Sequence, residues 1–181
     1  TDTFVAKINI KNTGNVDGRA SAQLYCQLPY TDYDKENLVE KSAIQLCGYN
    51  KVLVGAGKEV ETEIEFDRYF LASYDRLNKK QYILEDGEYY FSLGNGAHEA
   101  LNNIIATKKA DATLLDHNGD NYTADLDSVK KYNITGALDA YKYSHYDDSV
   151  EVKNKFDDAD VNYWANDDQK ITYLTRKDWQ A

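Results

Sequence analysis

Apolar and polar residues alternate along the first half of the chain with the two-residue period of half-buried strands. Phe4, Ala6, Ile8 and Ile10 fall on one face of a first strand, with Thr3, Lys7, Asn9 and Lys11 opposite. The run Asn12-Thr13-Gly14-Asn15, followed by Asp17-Gly18, interrupts the pattern with residues that tolerate positive φ. It predicts a turn closing a hairpin with a second strand, on which Ala20, Ala22, Leu24 and Cys26 face inward. A polar loop over 30–42 follows Pro29, the one proline, and residues 43–54 read as two short strands around Gly48. Val60, Thr62, Ile64 and Phe66 alternate with Glu59, Glu61, Glu63 and Glu65, the clearest strand signal of all. A corner or helical turn is expected over 67–75, and a hairpin-like pair around Asp86-Gly87 over 81–96. About seven short strands with frequent turns predict an all-β, antiparallel β-sandwich.

The pattern weakens after residue 94. Residues 97–106 support one or two helical turns with Ala97, Leu101 and Ile104 or Ile105 on one side, and short strands are candidates at 112–115, 121–124, 131–135 and 149–154. From Phe156 the chain is acidic and aromatic together, unlike a disordered tail, which lacks aromatics. The expected organisation is a sandwich over 1–94, an extension packed on it over 95–155, and an acidic-aromatic linker over 156–181.

Thirty-one acids against 21 bases give a net charge of −10, which argues against nucleic acid or an anionic membrane as partner. Sixteen tyrosines against five phenylalanines suit half-buried strands and wet interfaces. Two cysteines make no disulfide framework: Cys26 should face the core and Cys47, beside Leu46, the solvent. Free thiols in a reducing, cytoplasmic setting are the expectation, with no membrane span or signal peptide in view. A chain starting at Thr1 without any methionine is expected to be a cut domain or fragment.

Few residues offer chemistry. His98, His117 and His145 stand apart from any serine or cysteine at a catalytic spacing. His98 is the most interesting, following a strand end and a Gly-rich turn, although a backbone hydrogen bond would explain it as well. Asp116, Asn118, Asp120 and Asp127 resemble a calcium loop, but the sixth position is Asn121 where such a loop needs glycine. A hairpin about Asn118-Gly119 is the favoured reading. No phosphate loop or cysteine–histidine metal spacing occurs, so no cofactor is expected.

Set in order, Asn12-Thr13-Gly14, Gln23-Leu24-Tyr25, Leu46, Gly48-Tyr49, Lys51-Val52, Leu71, Tyr74-Asp75 and Gly87 with Tyr89 carry a resemblance across about half the chain. These segments look like the fibronectin type III-like domain of family 3 glycoside hydrolases. The resemblance implies an immunoglobulin/fibronectin III-like sandwich with an irregular C-terminal extension. Residues 96–106 and 154–179 are similar to a subgroup of β-glucosidase type with permuted domain order, in which a catalytic barrel follows this domain. Residues 173–179 would then run toward that barrel, and Tyr163, Trp164, Tyr173, Arg176 and Trp179 would contact neighbouring domains. The family's nucleophile is an aspartate of the barrel, and its acid/base is commonly on another domain. No catalytic residue carries over to this chain, and Asp178 does not match the nucleophile. The expected role is a non-catalytic brace within a retaining enzyme that hydrolyses terminal β-D-glucosides. The alternative is a carbohydrate-binding module, with surface aromatics stacking on sugar rings.

Overall fold

A computed structural model describes residues 3–136 and 139–178, with backbone alone at 139–140. Its strands, in chain order, are β1 (Thr3–Lys11), β2 (Gly18–Gln27), β3 (Gln45–Val54), β4 (Glu59–Asp67), β5 (Ser73–Asp75), β6 (Gln81–Leu84), β7 (Gly87–Leu93), β8 (Val129–Ile134) and β9 (Asp139–Tyr141). The helices are α1 (Asp32–Asn37), α2 (Ala97–Lys108) and α3 (Val161–Trp164), with short 3-10 turns at Arg68–Leu71 and in the last third. All strand pairs are antiparallel. The chain divides into two units. The first is Thr1–Pro29, Ser42–Leu71 and Asp86–Thr135, and the second is Tyr30–Lys41, Ala72–Glu85 and Gly136–Ala181.

In the first unit, β1 pairs with β4 as a two-stranded sheet, while a four-stranded sheet runs β3-β2-β7-β8. The alternation read from β1 and β4 is realised: Ile8, Thr62, Ile64 and Phe66 are buried and the four glutamates of β4 are exposed. Between the sheets lies an aromatic core. Phe4 stacks on Phe66 at 5.2 Å between ring centroids, and Phe91 packs at 5.7 Å from Phe66. Gly48 lets the sheets close at the other corner, because a Cβ there would stand 2.6 Å from Ile64 Cγ2.

Several expectations are corrected. The Asn12–Gly18 turn closes no hairpin: β1 bonds β4, and β2 bonds β3 and β7. It is an arch between sheets, held because the Asn12 amide donates to Val16 O (2.8 Å) and Val54 O (2.9 Å) and Asp17 accepts from Ala56 N (2.8 Å). Likewise β6 and β7 do not pair across Asp86-Gly87 but enter different sheets. There Gly87 takes φ +142°, and a Cβ would meet Pro29 at 3.0 Å. Residues 45–54 form one strand, not two. Its pairing with β2 slips between Leu24 and Tyr25, and this irregularity leaves Leu46 exposed and turns Cys47 in toward Cys26. Burial, then the neighbouring Cys47 thiol, pushes the Cys26 thiol far above its ordinary range, so it is no nucleophile.

Residues 97–108 form three turns of helix rather than one or two. Its buried face carries Ala100 and Ile104 while Ala97 is exposed, and Ile104 clusters with Tyr90, Val129 and partly Ile44 on the outer face of the four-stranded sheet. Asn103, also buried, donates to Leu93 O (3.3 Å) and accepts from Asp125 N (2.8 Å) and Tyr122 Oη (3.1 Å), so it ties the loop after α2 to β7. Of the later strand candidates, 131–135 appears as β8. The segments 112–115 and 121–124 shrink to a bridge between Leu115 and Asn121, and 149–154 to a bridge between Tyr143 and Glu151. The unit is an immunoglobulin/fibronectin III-like antiparallel β-sandwich with one helix on its outer face.

The second unit is organised by polar contacts. Thr31 and Asp34 make a capping box on α1: Thr31 Oγ1 accepts from Asp34 N (3.3 Å) and Asp34 Oδ2 from Thr31 N (2.8 Å). The three-stranded sheet β5-β6-β9 ends in a turn clasped by the fully buried Asp75, which accepts from the amides of Leu77, Asn78 and Lys79 and from Tyr33 Oη (2.5 Å).

Candidate interaction site

The last third of the second unit holds most of the residues singled out for contacts, and local polar bonds set its shape. Asp160 is the hub. Its carboxylate caps α3 by accepting from Asn162 N (2.9 Å), and also accepts from Tyr173 Oη (2.9 Å) and Arg76 Nη1 (3.0 Å). The Asn162 amide, the Tyr173 hydroxyl and the Arg76 charge hold its carboxyl below the usual range. Asn162 and Ile171 exchange two hydrogen bonds of 2.8 Å each, locking α3 to the segment nine residues on. Trp164 donates its indole N–H to Asp158 O (2.7 Å), and Thr175 donates twice to Asp178. Arg176 lies 4.5 Å over the Tyr30 ring and donates to Lys41 O (3.3 Å), while its amide donates to Glu40 (3.2 Å).

These bonds occupy the polar groups and leave the large apolar ones outside. Leu174 is 86% exposed, Phe156 77% and Trp164 74%, and Val161, Tyr163, Ile171 and Tyr173 are exposed as well. Tyr163 and Trp164 meet edge to face at 4.9 Å. Beside them a groove of about 870 Å³ is lined by Leu38, Arg76, Phe156, Tyr173 and Leu174 among others. So dense a set of exposed aromatic and aliphatic side chains is a candidate interaction surface, of the kind where Trp, Tyr and Arg supply most binding energy. The sequence reading named Tyr163, Trp164, Tyr173 and Arg176, and the structure places all four in this segment. Arg176 sits inward on Tyr30. Trp179 lies outside the described residues. Phe156, Ile171 and Leu174 were missed, although an apolar residue among acids was the available signal.

The other candidates stand elsewhere. The carboxylate of Asp116 accepts from the amides of Asn118 (2.8 Å) and Asp120 (3.0 Å), and Gly119 turns at φ +88°. Its oxygens serve a hairpin turn. Asp127 follows in the approach to β8, its amide bonded to Asp125. Among the described residues no three His, Cys, Asp or Glu side chains group as metal ligands. His98, in the first turn of α2, donates Nε2–H to Leu115 O (2.9 Å), which Asn102 also engages (2.8 Å). No helix is long and apolar enough to cross a membrane among the described residues.

Two facing antiparallel sheets, a buried aromatic core and an exposed aromatic extension define a β-sandwich module. Residues 20–97 match the family described as fibronectin type III-like domain. Its relatives include β-glucosidase A of Butyrivibrio fibrisolvens, 32% identical over 102 residues, and the probable β-glucosidase M of Emericella nidulans, 32% identical over 97 residues. Each alignment covers 54% of this chain but only 12% and 11% of those proteins. Among solved structures, β-glucosidases of Kluyveromyces marxianus (TM-score 0.53) and Thermotoga neapolitana (TM-score 0.52) share the fold at 18% identity. They match 77% of this chain and 13% and 15% of their own lengths.

Proposed function

We propose that the chain is a non-catalytic structural domain of a family 3 glycoside hydrolase, a retaining β-glucosidase acting on terminal β-D-glucosides. In it the domain braces the catalytic domains through the exposed surface of residues 156–176. The observation that carries this reading is the inverted extension: its polar groups are spent on one another, and its Phe156, Trp164 and Leu174 are left for a partner. The β-glucosidase relatives, matched over a small part of their length, support the parentage. In the permuted arrangement the segment after Thr175 leads toward the barrel, so the surface lies where that barrel would dock.

The test is direct. The purified chain should fold and release no nitrophenol from an aryl β-glucoside, and turnover by the chain alone would overturn the reading. Trp164→Ala with Leu174→Asp should lower the melting temperature of the full-length enzyme, while the unfolding free energy of the isolated chain stays within the range of neutral surface changes, about ±0.5 kcal/mol. Saturable binding of a β-glucan by the isolated chain, lost in Trp164→Ala, would instead favour the carbohydrate-binding module.

A further inference from the structure

β3 is an outer strand of the four-stranded sheet and pairs only with β2 among the described residues. The register between them is regular from Gly18–Val54 to Leu24–Gly48, and again from Tyr25–Leu46 to Cys26–Gln45. Between these stretches β3 carries one residue with no partner position on β2, and that residue is Cys47. An extra residue bends its strand and re-aims the side chain it carries. Here the bend sets the Cys47 thiol beside that of Cys26, and both cysteines are free.

The two thiols differ in access. Cys26 is fully buried, level with Phe91 of β7, and its thiol is held protonated in the closed sheet. Cys47 is half-buried, on a strand with an open edge. A reachable thiol next to a sheltered one is the arrangement of an attacking and a resolving cysteine.

We propose that Cys26 and Cys47 form a reversible redox pair, which a small-molecule disulfide oxidises to a cross-strand disulfide. Cys47, as the thiolate, attacks one sulfur of the small disulfide, and the other sulfur leaves as a thiolate. Cys26 then gives up its proton and attacks the Cys47 sulfur, expelling the second small thiolate. The protons of Cys26 and Cys47 end on the two small thiols, so one disulfide is formed and one is reduced. Excess thiol reverses both steps. Cys26 is no nucleophile while the sheet is closed, so the second step waits on a local opening of the β3 edge that hydrates it.

The link reaches beyond the two strands. Between the cysteines lies Tyr30–Lys41, the segment that the chain lends to the second unit, with α1 on it. Oxidation closes a covalent ring around this excursion and removes freedom that its unfolded form would gain.

The reduced chain is incubated with oxidised glutathione, quenched in acid, unfolded and treated with N-ethylmaleimide, and its mass is read. It should become a monomer lighter by two hydrogens that takes up no maleimide, and dithiothreitol should restore it. Cys26→Ala removes the resolving thiol and adds no polar group to the core, so it should accumulate the glutathione adduct at Cys47. Cys47→Ser, at the half-buried position, should stay free of adduct. In urea the oxidised chain should unfold about tenfold more slowly than the reduced one. A wild-type chain that stops at the adduct, links into dimers or does not react would overturn the proposal. Equal unfolding rates for the two forms would overturn the part assigned to the ring.

Discussion

The two units solve the burial problem in opposite ways. In the first, Phe4, Phe66, Phe91 and Ile64 sit between sheets and the charges of β4 face water. In the second, charge is inside: Lys41, Asp34 and Glu85 are buried together, with Lys41 Nζ 2.7 Å from Asp34 Oδ2 and also bonded to Glu85. Thr31 Oγ1 donates to Glu85 at 2.6 Å. The large apolar side chains of its last third face outward. Hydrophobic burial is non-directional and suffices to hold a sandwich, whereas a buried ion cluster demands particular partners and fixes one arrangement at some cost in stability. The second unit therefore leaves much of its apolar surface exposed, and relies on polar bonds for its own shape.

Breaking the apolar side should have the largest effect. Phe66→Ala removes the ring between Phe4 and Phe91 and should cost about 4 kcal/mol in urea denaturation. Hydrogen exchange should speed up in β2 and β7 and stay near its original rate in β5 and β6. Equal acceleration everywhere would mean the units do not differ as described.

Breaking the polar side should come next. Lys41→Met leaves two buried carboxyls without their cation and should cost about 3 kcal/mol, read as faster exchange in α1 and β6 rather than in β2.

A smaller effect sharpens the comparison through pH. Burial first, and then the neighbouring Asp34 carboxyl, raises Glu85 above the usual glutamate value, against the hydrogen bonds from Lys41 and Thr31. The folded chain holds that proton more tightly than the unfolded chain. The associated stability is complete below about pH 4.5 and is lost as pH rises through the raised value. Asp75 has the opposite sign. Burial alone would raise it, but the Tyr33 hydroxyl and the amides of Asn78, Lys79 and Leu77 bring it below 3.8, so its contribution is lost as pH falls through the lowered value. Glu85→Gln should flatten the fall in the urea midpoint above pH 4.5 and leave the acid limb intact. An unaltered fall would place its cause outside this cluster.

Faces were legible in the sequence, and partners were not. The alternation of Phe4, Ala6, Ile8 and Ile10, and of Val60 to Phe66, determined which side of β1 and β4 is buried, because a strand's side chains alternate whatever it pairs with. The same letters carry nothing about the neighbour. β1 passing to β4 rather than β2, and β6 and β7 parting at Asp86-Gly87, depend on where the whole chain finds room for two sheets. α2 shows the same limit: which of its faces is buried, that of Ala100 and Ile104, was decided by the outer face of β7 and β8 that it covers. In the extension the sequence supplied the residue types, aromatics among acids. Only the tertiary structure decided that the acids and amides would satisfy one another and the rings stand outside, since hydrogen-bond geometry is a property of positions in space rather than of order along the chain.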